Sequence, residues 1–156
     1  MGYSMETVMT WQSATGAGLA AIFGGMAFMS AGAAYSDELD LGSALYDQFC
    51  AACHGADLEG APEWQRSGPD GRFPAPPHDE TGHTWHHGDR MLFEYTKHGG
   101  QAYLDNLGVA FDSGMPAFGD VLSDEEIKAI LAFIRSTWPA RIQEIQAERT
   151  AAENAE

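Results

Sequence analysis

The sequence predicts an all-α domain. Two segments, 37–50 and 123–138, space their apolar residues at helical intervals. Alternating runs of β-branched and aromatic residues, the mark of strands, are almost absent. The stretch between the helical segments is broken by Pro and Gly too often for any long regular element.

Taken in order, residues 1–34 stand apart. Ala14 to Ala34 are almost wholly Ala, Gly and large apolar side chains without a charge, long enough to span a bilayer. Ala31-Gly32-Ala33 has the small-residue pattern of a leader-peptidase site, but no Lys or Arg precedes Arg66, so a basic start is missing. The segment reads as a cleaved signal peptide, with a retained membrane anchor as the rival. A single domain over 35–140 follows, then a charged tail over 141–156.

Within that domain, the helix over 37–50 is expected to be capped by Asp37, with Leu41, Leu45, Tyr46 and Phe49 on one face and Cys50 at its end. Residues 55–87 hold five of the seven prolines and read as loop. A short helix is expected over 89–98, capped by Asp89 and stopped by Gly99-Gly100, with Met91, Leu92 and Tyr95 on one side. Loop continues to Asp120. Ser123 and Glu126 form a capping-box signature, and Ile127, Ile130, Leu131, Ile134 and Trp138 make an apolar stripe that Pro139 ends. Residues 140–156 are expected to extend that helix or fray.

Composition narrows the function. At 44% hydrophobic the chain has enough apolar material for a packed core. A formal charge of −15 argues against a nucleic-acid partner, whose phosphates attract Lys and Arg. It suits a basic docking face on a protein partner, or serves solubility alone. The two cysteines lie in one short run, which is no disulfide framework.

That run is Cys50-Ala51-Ala52-Cys53-His54, a C-x-x-C-H motif. Two thiols at this separation add across the two vinyl groups of a haem, and the adjacent imidazole then lies beneath the iron. A redox dithiol, a zinc half-site or a local disulfide are the other readings; the dithiol lacks the βαβ context it needs. A soft second ligand is available in Gly114-Met115-Pro116, where a methionine between Gly and Pro sits in a loop rather than on a core stripe. Met91, the chief competitor, reads as core.

Together these residues resemble a class I cytochrome c over about Ser36 to Pro139, through Phe49-Cys50-Ala51-Ala52-Cys53-His54-Gly55, Gly114-Met115-Pro116-Ala117-Phe118 and Leu122-Ser123-Asp124-Glu125-Glu126-Ile127. The resemblance implies a small all-α fold, its first and last helices crossed around one covalent haem c, with Tyr46, Phe49, Ile130 and Phe133 or Ile134 at the crossing. It implies His54 and Met115 as axial iron ligands and one-electron transfer between redox protein partners as the function, with the haem attached in the periplasm after export. It further implies a proline carbonyl that accepts from the ligand histidine, for which Pro74, Pro76 and Pro77 are eligible and Pro76 and Pro77 best placed. Trp85 is the candidate donor to a haem propionate.

A departure from the family pattern is the cluster His78, His83, His86 and His87. It reads as surface or propionate contact, with a Cu or Zn site as the alternative. Three rivals to a free carrier follow: a membrane-tethered haem subunit of a larger oxidoreductase, a haem enzyme or sensor with an open face, and a copper-handling protein using that cluster.

Overall fold

The computed structural model describes residues 26–155. It is helical, and no strand occurs among the described residues. Among the described residues the helices are α1 (Met26–Phe49), α2 (Ala51–His54), α3 (Asp89–His98), α4 (Gly100–Asn106), α5 (Asp124–Thr137) and α6 (Ala140–Glu153), with a 3-10 turn at Thr84–His86.

Helix α1 begins well before the expected start. Asp37 lies inside it and caps nothing, because the Ala-rich stretch ahead holds no proline and its one glycine, Gly32, does not interrupt the helix. Residues 32–38 are all exposed, so this first part of α1 stands clear of the core. Most of the apolar run from Ala14 lies outside the described residues. Leu41 is 47% exposed and does not share the buried face of α1. That face is Gly42, Leu45 and Tyr46, with Phe49 half-buried.

Gly42 sets the packing of α1 on α5. A Cβ at this position would fall on the Ala129 carbonyl, so the two backbones meet with no side chain between them. The contact brings Tyr46, fully buried, against Phe133 with ring centroids 5.7 Å apart. Ile127, Ile130 and Ile134 fill the space behind, each adding about 2 kcal/mol of apolar burial. At the start of α5 the capping box forms as expected. Ser123 Oγ accepts from the Glu126 amide at 3.3 Å, and Glu126 Oε2 accepts from the Ser123 amide at 2.8 Å.

The chain after α3 differs from expectation. Gly99 does end α3, but Gly100 opens the short helix α4 instead of a loop. Two glycines in a row conceal a seven-residue helix whose anchor is Tyr103, packed edge-on to Tyr95 at 5.7 Å.

Residues 140–153 neither prolong α5 nor fray. Pro139 breaks the chain, and α6 folds back onto the 3-10 turn and α3. Asp89 is the first residue of α3 and not its cap; the cap position is Gly88, which has no side chain to offer. The free amides of Arg90 and Met91 donate instead to the Glu153 carboxylate, both at 2.9 Å. Gln146, 1% exposed, donates from Nε2 to Asp89 Oδ1 at 2.7 Å and to the His87 carbonyl at 3.3 Å.

Candidate functional site

The C-x-x-C-H run is a helical turn. The Cys50 amide donates to the Tyr46 carbonyl at 2.8 Å and the His54 amide to the Cys50 carbonyl at 2.9 Å, which sets both thiols and the imidazole on the rim of α2. Buried Tyr46 fixes the turn from inside by donating its hydroxyl to the Gly55 carbonyl at 2.9 Å. Both cysteines are free thiols, Cys50 half-buried and Cys53 exposed. Burial, helped by the neighbouring Cys53, pushes the Cys50 thiol up to about 11. A reactive redox dithiol needs the opposite shift, a thiolate stabilised near neutral pH.

His54 is buried, 8% exposed. Its Nδ1 lies 2.8 Å from the Pro76 carbonyl. That bond requires the proton on Nδ1 and leaves the lone pair of Nε2 free for a metal. Burial lowers the His54 pKa and the Pro76 bond partly opposes it, so the ring is held neutral, the form that ligates. Of the three eligible prolines, Pro76 makes the contact. The Pro77 carbonyl instead accepts from Thr84 Oγ1 at 3.4 Å.

The loop beneath His54 is tied down from several directions. Gly60 donates to the His54 carbonyl at 2.7 Å, Ala61 to the Ala75 carbonyl at 2.8 Å and His78 to the Leu58 carbonyl at 2.8 Å. The ring of His78 stacks on that of His54, centroids 4.0 Å apart and planes within 22°. Burial, then the neighbouring His54 and His83, hold His78 well below the ordinary histidine range. Trp138 donates its indole N–H to the His78 carbonyl at 2.7 Å, joining the end of α5 to this loop. Sequence patterning placed Trp138 only on the core stripe of α5. Nothing in one chain's spacing pairs it with a residue sixty positions earlier.

Trp85 stands in the 3-10 turn. Its N–H donates at 3.3 Å to the Glu80 carbonyl within the same loop, and its ring stacks on His86 at 3.7 Å. The donor is thus used locally. The histidines of the cluster do not converge either. His83 stacks on Trp64 at 5.6 Å and meets His87 edge-on at 5.7 Å. Among the described residues no group of three or more His, Cys, Asp or Glu side chains is placed to hold a metal ion, so the Cu or Zn reading has no convergent donor set.

Met115 is half-buried and its backbone is held on both sides. Its carbonyl accepts from the Gly100 amide at 3.1 Å, and its amide donates to Ser113 Oγ at 3.4 Å. Ser113 Oγ is in turn 2.8 Å from the Tyr95 hydroxyl, and the Ser113 amide donates to Gln101 Oε1 at 2.9 Å. The junction of α3 and α4, hidden in the sequence, is therefore what presents the methionine loop. Met91 instead lies at the start of α3, its amide on Glu153.

The donor set fits a covalently held haem. Two free thiols stand one helical turn apart, beside a neutral imidazole oriented through its second nitrogen. Half-buried Phe49, Ala51, Trp85, Phe93 and Phe118 border the core with apolar surface.

Residues 39–138 match the family model described as Cytochrome c. No curated protein and no solved structure matches the chain.

Proposed function

The chain belongs to the cytochrome c family, whose members bind haem c covalently and carry electrons, and from that premise we propose that it is an exported, single-haem, one-electron carrier. The observation that carries the reading is the His54 to Pro76 bond at 2.8 Å directly after two free thiols, a ligand imidazole already oriented for iron. Cys50 and Cys53 would hold the haem by thioethers, and His54 and Met115 would ligate its iron. Bound haem supplies an iron that accepts and releases one electron.

The chain's own residues set how easily that happens. Pro76 fixes the imidazole through its Nδ1 proton and strengthens it as a ligand. The thioether of Met115 favours the reduced metal and raises the reduction potential. With His54 and Met115 both held to it, the iron would have no place left for a substrate and would serve electron exchange with a partner. The chain's charge of −15 suits a donor or acceptor with a basic docking face.

Attachment of the haem requires export, so the periplasm is the proposed location. The apolar run 14–34 supports either a cleaved signal or an anchor that makes this a tethered subunit of a larger oxidoreductase. No helix among the described residues is long and apolar enough to cross a membrane. Retention of the mature protein on membranes through a salt wash decides for the anchor.

The test of the central reading is a redox titration of the purified protein with and without Met115→Ala. A one-electron wave is expected. Met115→Ala is expected to lower the potential and to give a high-spin oxidised spectrum that takes up cyanide readily. An unchanged spectrum in Met115→Ala overturns the axial assignment.

A further inference from the structure

The loop that carries Met115 is fastened at a second place, away from α3 and α4. Phe73 and Phe111 stack with centroids 5.6 Å apart and planes within 19°. Beside them Arg72 donates from Nε to Asp112 Oδ1 at 2.9 Å. We propose that Phe73 and Phe111, flanked by Arg72 and Asp112, are a clasp that holds the Met115 loop shut against the His54 side of the site. The inference rests on Met115 as the axial ligand.

Three features support it. The first is position: Phe73 lies just ahead of Pro76, whose carbonyl orients His54, and Phe111 lies just ahead of Met115. The stack therefore joins the strand of chain that serves one axial side to the strand that serves the other. The Arg72 side chain also runs beneath Gly114, 3.8 Å from where a Cβ there would stand.

Second, each arm is entered through a glycine in the left-handed region, Gly71 at φ 86° and Gly108 at φ 69°. An added Cβ would meet nothing within 4 Å at either position, so backbone conformation alone, and not crowding, calls for glycine. Both turns aim a Phe and its charged neighbour at the other arm.

Third, the two rings are not core. Phe73 is 45% and Phe111 41% exposed, and neither belongs to the buried cluster between α1 and α5. Two large aromatic rings left this open contribute little to the fold as a whole. What they do is couple the two loops. The Arg72 to Asp112 pair is more than half exposed on both sides and adds little on its own, so the stack carries the effect.

The consequence is local. An outside ligand reaches the metal only when Met115 leaves it, and Met115 leaves when its loop swings away from the His54 side. The Gly100 and Ser113 contacts hold the backbone at Met115 itself; the clasp holds the segment that leads into it. Phe73 and Phe111 are thus positioning residues.

The experiment is cyanide binding to the oxidised holoprotein. Phe73→Ala and Phe111→Ala are each expected to raise the apparent cyanide affinity about fivefold. The double variant should gain no more than either single one, because the two rings act as a pair. Phe111→Tyr should bind cyanide as the parent does, the resting spectra should stay the same, and unfolding stability in the Ala variants should fall by no more than the fivefold change that cyanide binding reads. A purely structural role would shift unfolding and leave cyanide affinity alone. If Phe111→Ala does not mature, Phe111→Leu, which keeps bulk and loses the stack, is read in the same assay. Met115→Ala separates the two levels of the argument. If it leaves the spectrum unchanged, the axial reading fails. If it opens the metal while both Phe variants bind cyanide like the parent, the clasp fails. Parent-like cyanide binding with slowed exchange with a redox partner likewise overturns the clasp and makes the rings a docking patch.

Discussion

Gly42 of α1 rests on the backbone carbonyl of Ala129 in α5, and this contact positions the turn that carries Cys50, Cys53 and His54. Any side chain there must push α1 outward. Gly42→Leu is expected to cost about 3 kcal/mol in urea unfolding of the holoprotein through overpacking. Ala44→Leu is the matched control. Ala44 is exposed on the same helix, so the added side chain meets solvent and should change stability by no more than about 0.5 kcal/mol. Equal effects at the two positions would show that the helices do not meet at Gly42.

Helix α6 is expected to be part of the folded unit. Gln146 is fully buried with three acceptors around its Nε2, at Asp89, His87 and Thr150, while its Oε1 has no partner. Gln146→Ala leaves those acceptors short of a donor and should cost about 2 kcal/mol. Glu153→Ala, which uncaps α3, should cost about 1 kcal/mol. Both would appear as lower urea midpoints. An unaffected midpoint in both would mean that 140–153 is detached from the domain in solution.

Stability should decline on the acid side of neutrality. Burial, with help from His83, His86 and Arg149 and opposed by Glu153, lowers the pKa of half-buried His87. The unfolded chain takes up that proton near pH ~6.5 and the folded chain only at lower pH. The unfolded state therefore binds more protons in between, and stability falls as pH drops from about 6.5 toward the folded value. His54 leaves this balance once it ligates a metal. A second, more acidic window belongs to Asp124, whose carboxyl is held low by its 2.7 Å hydrogen bond from Lys97. That contribution is present above the ordinary carboxylate range, about pH 3.9, and is lost below it. Urea midpoints measured from pH 8 to about pH 5 should fall less steeply in His87→Gln, with His78 and His83 carrying the rest of the slope. An unaltered slope in that variant would exclude His87.

How much of this was legible in the sequence follows from what each feature depends on. The α5 stripe, its capping box and the C-x-x-C-H turn depend on residues a few positions apart, and spacing revealed them. Asp37 misled because side-chain chemistry favours a cap wherever Asp precedes an apolar run. Only the helix itself, which runs on through Gly32, shows that it sits mid-helix. Helix α4 was hidden by Gly99-Gly100, a pair read as a stop. Glu153 capping α3, Trp138 on the His78 carbonyl and Phe73 on Phe111 join residues far apart in the chain. Such contacts leave no periodic trace. Trp85 is a candidate propionate donor by family likeness alone, and its N–H contact with the Glu80 carbonyl is one that no periodic spacing reveals.

The charge of the chain has a kinetic consequence. With a formal −15, electron exchange with a basic partner should slow as ionic strength rises, with an acidic partner as the control that moves the other way. Stopped-flow traces across a salt series would show it. A rate independent of salt would mean that the docking face is neutral.

The central claim is that Cys50 and Cys53 are consumed in holding one haem above His54. Intact mass of the exported protein, with thiol alkylation under denaturing conditions, tests it most directly. The account predicts polypeptide mass plus a single haem and no thiol left to alkylate. A colourless protein of bare polypeptide mass with both thiols reactive would contradict it.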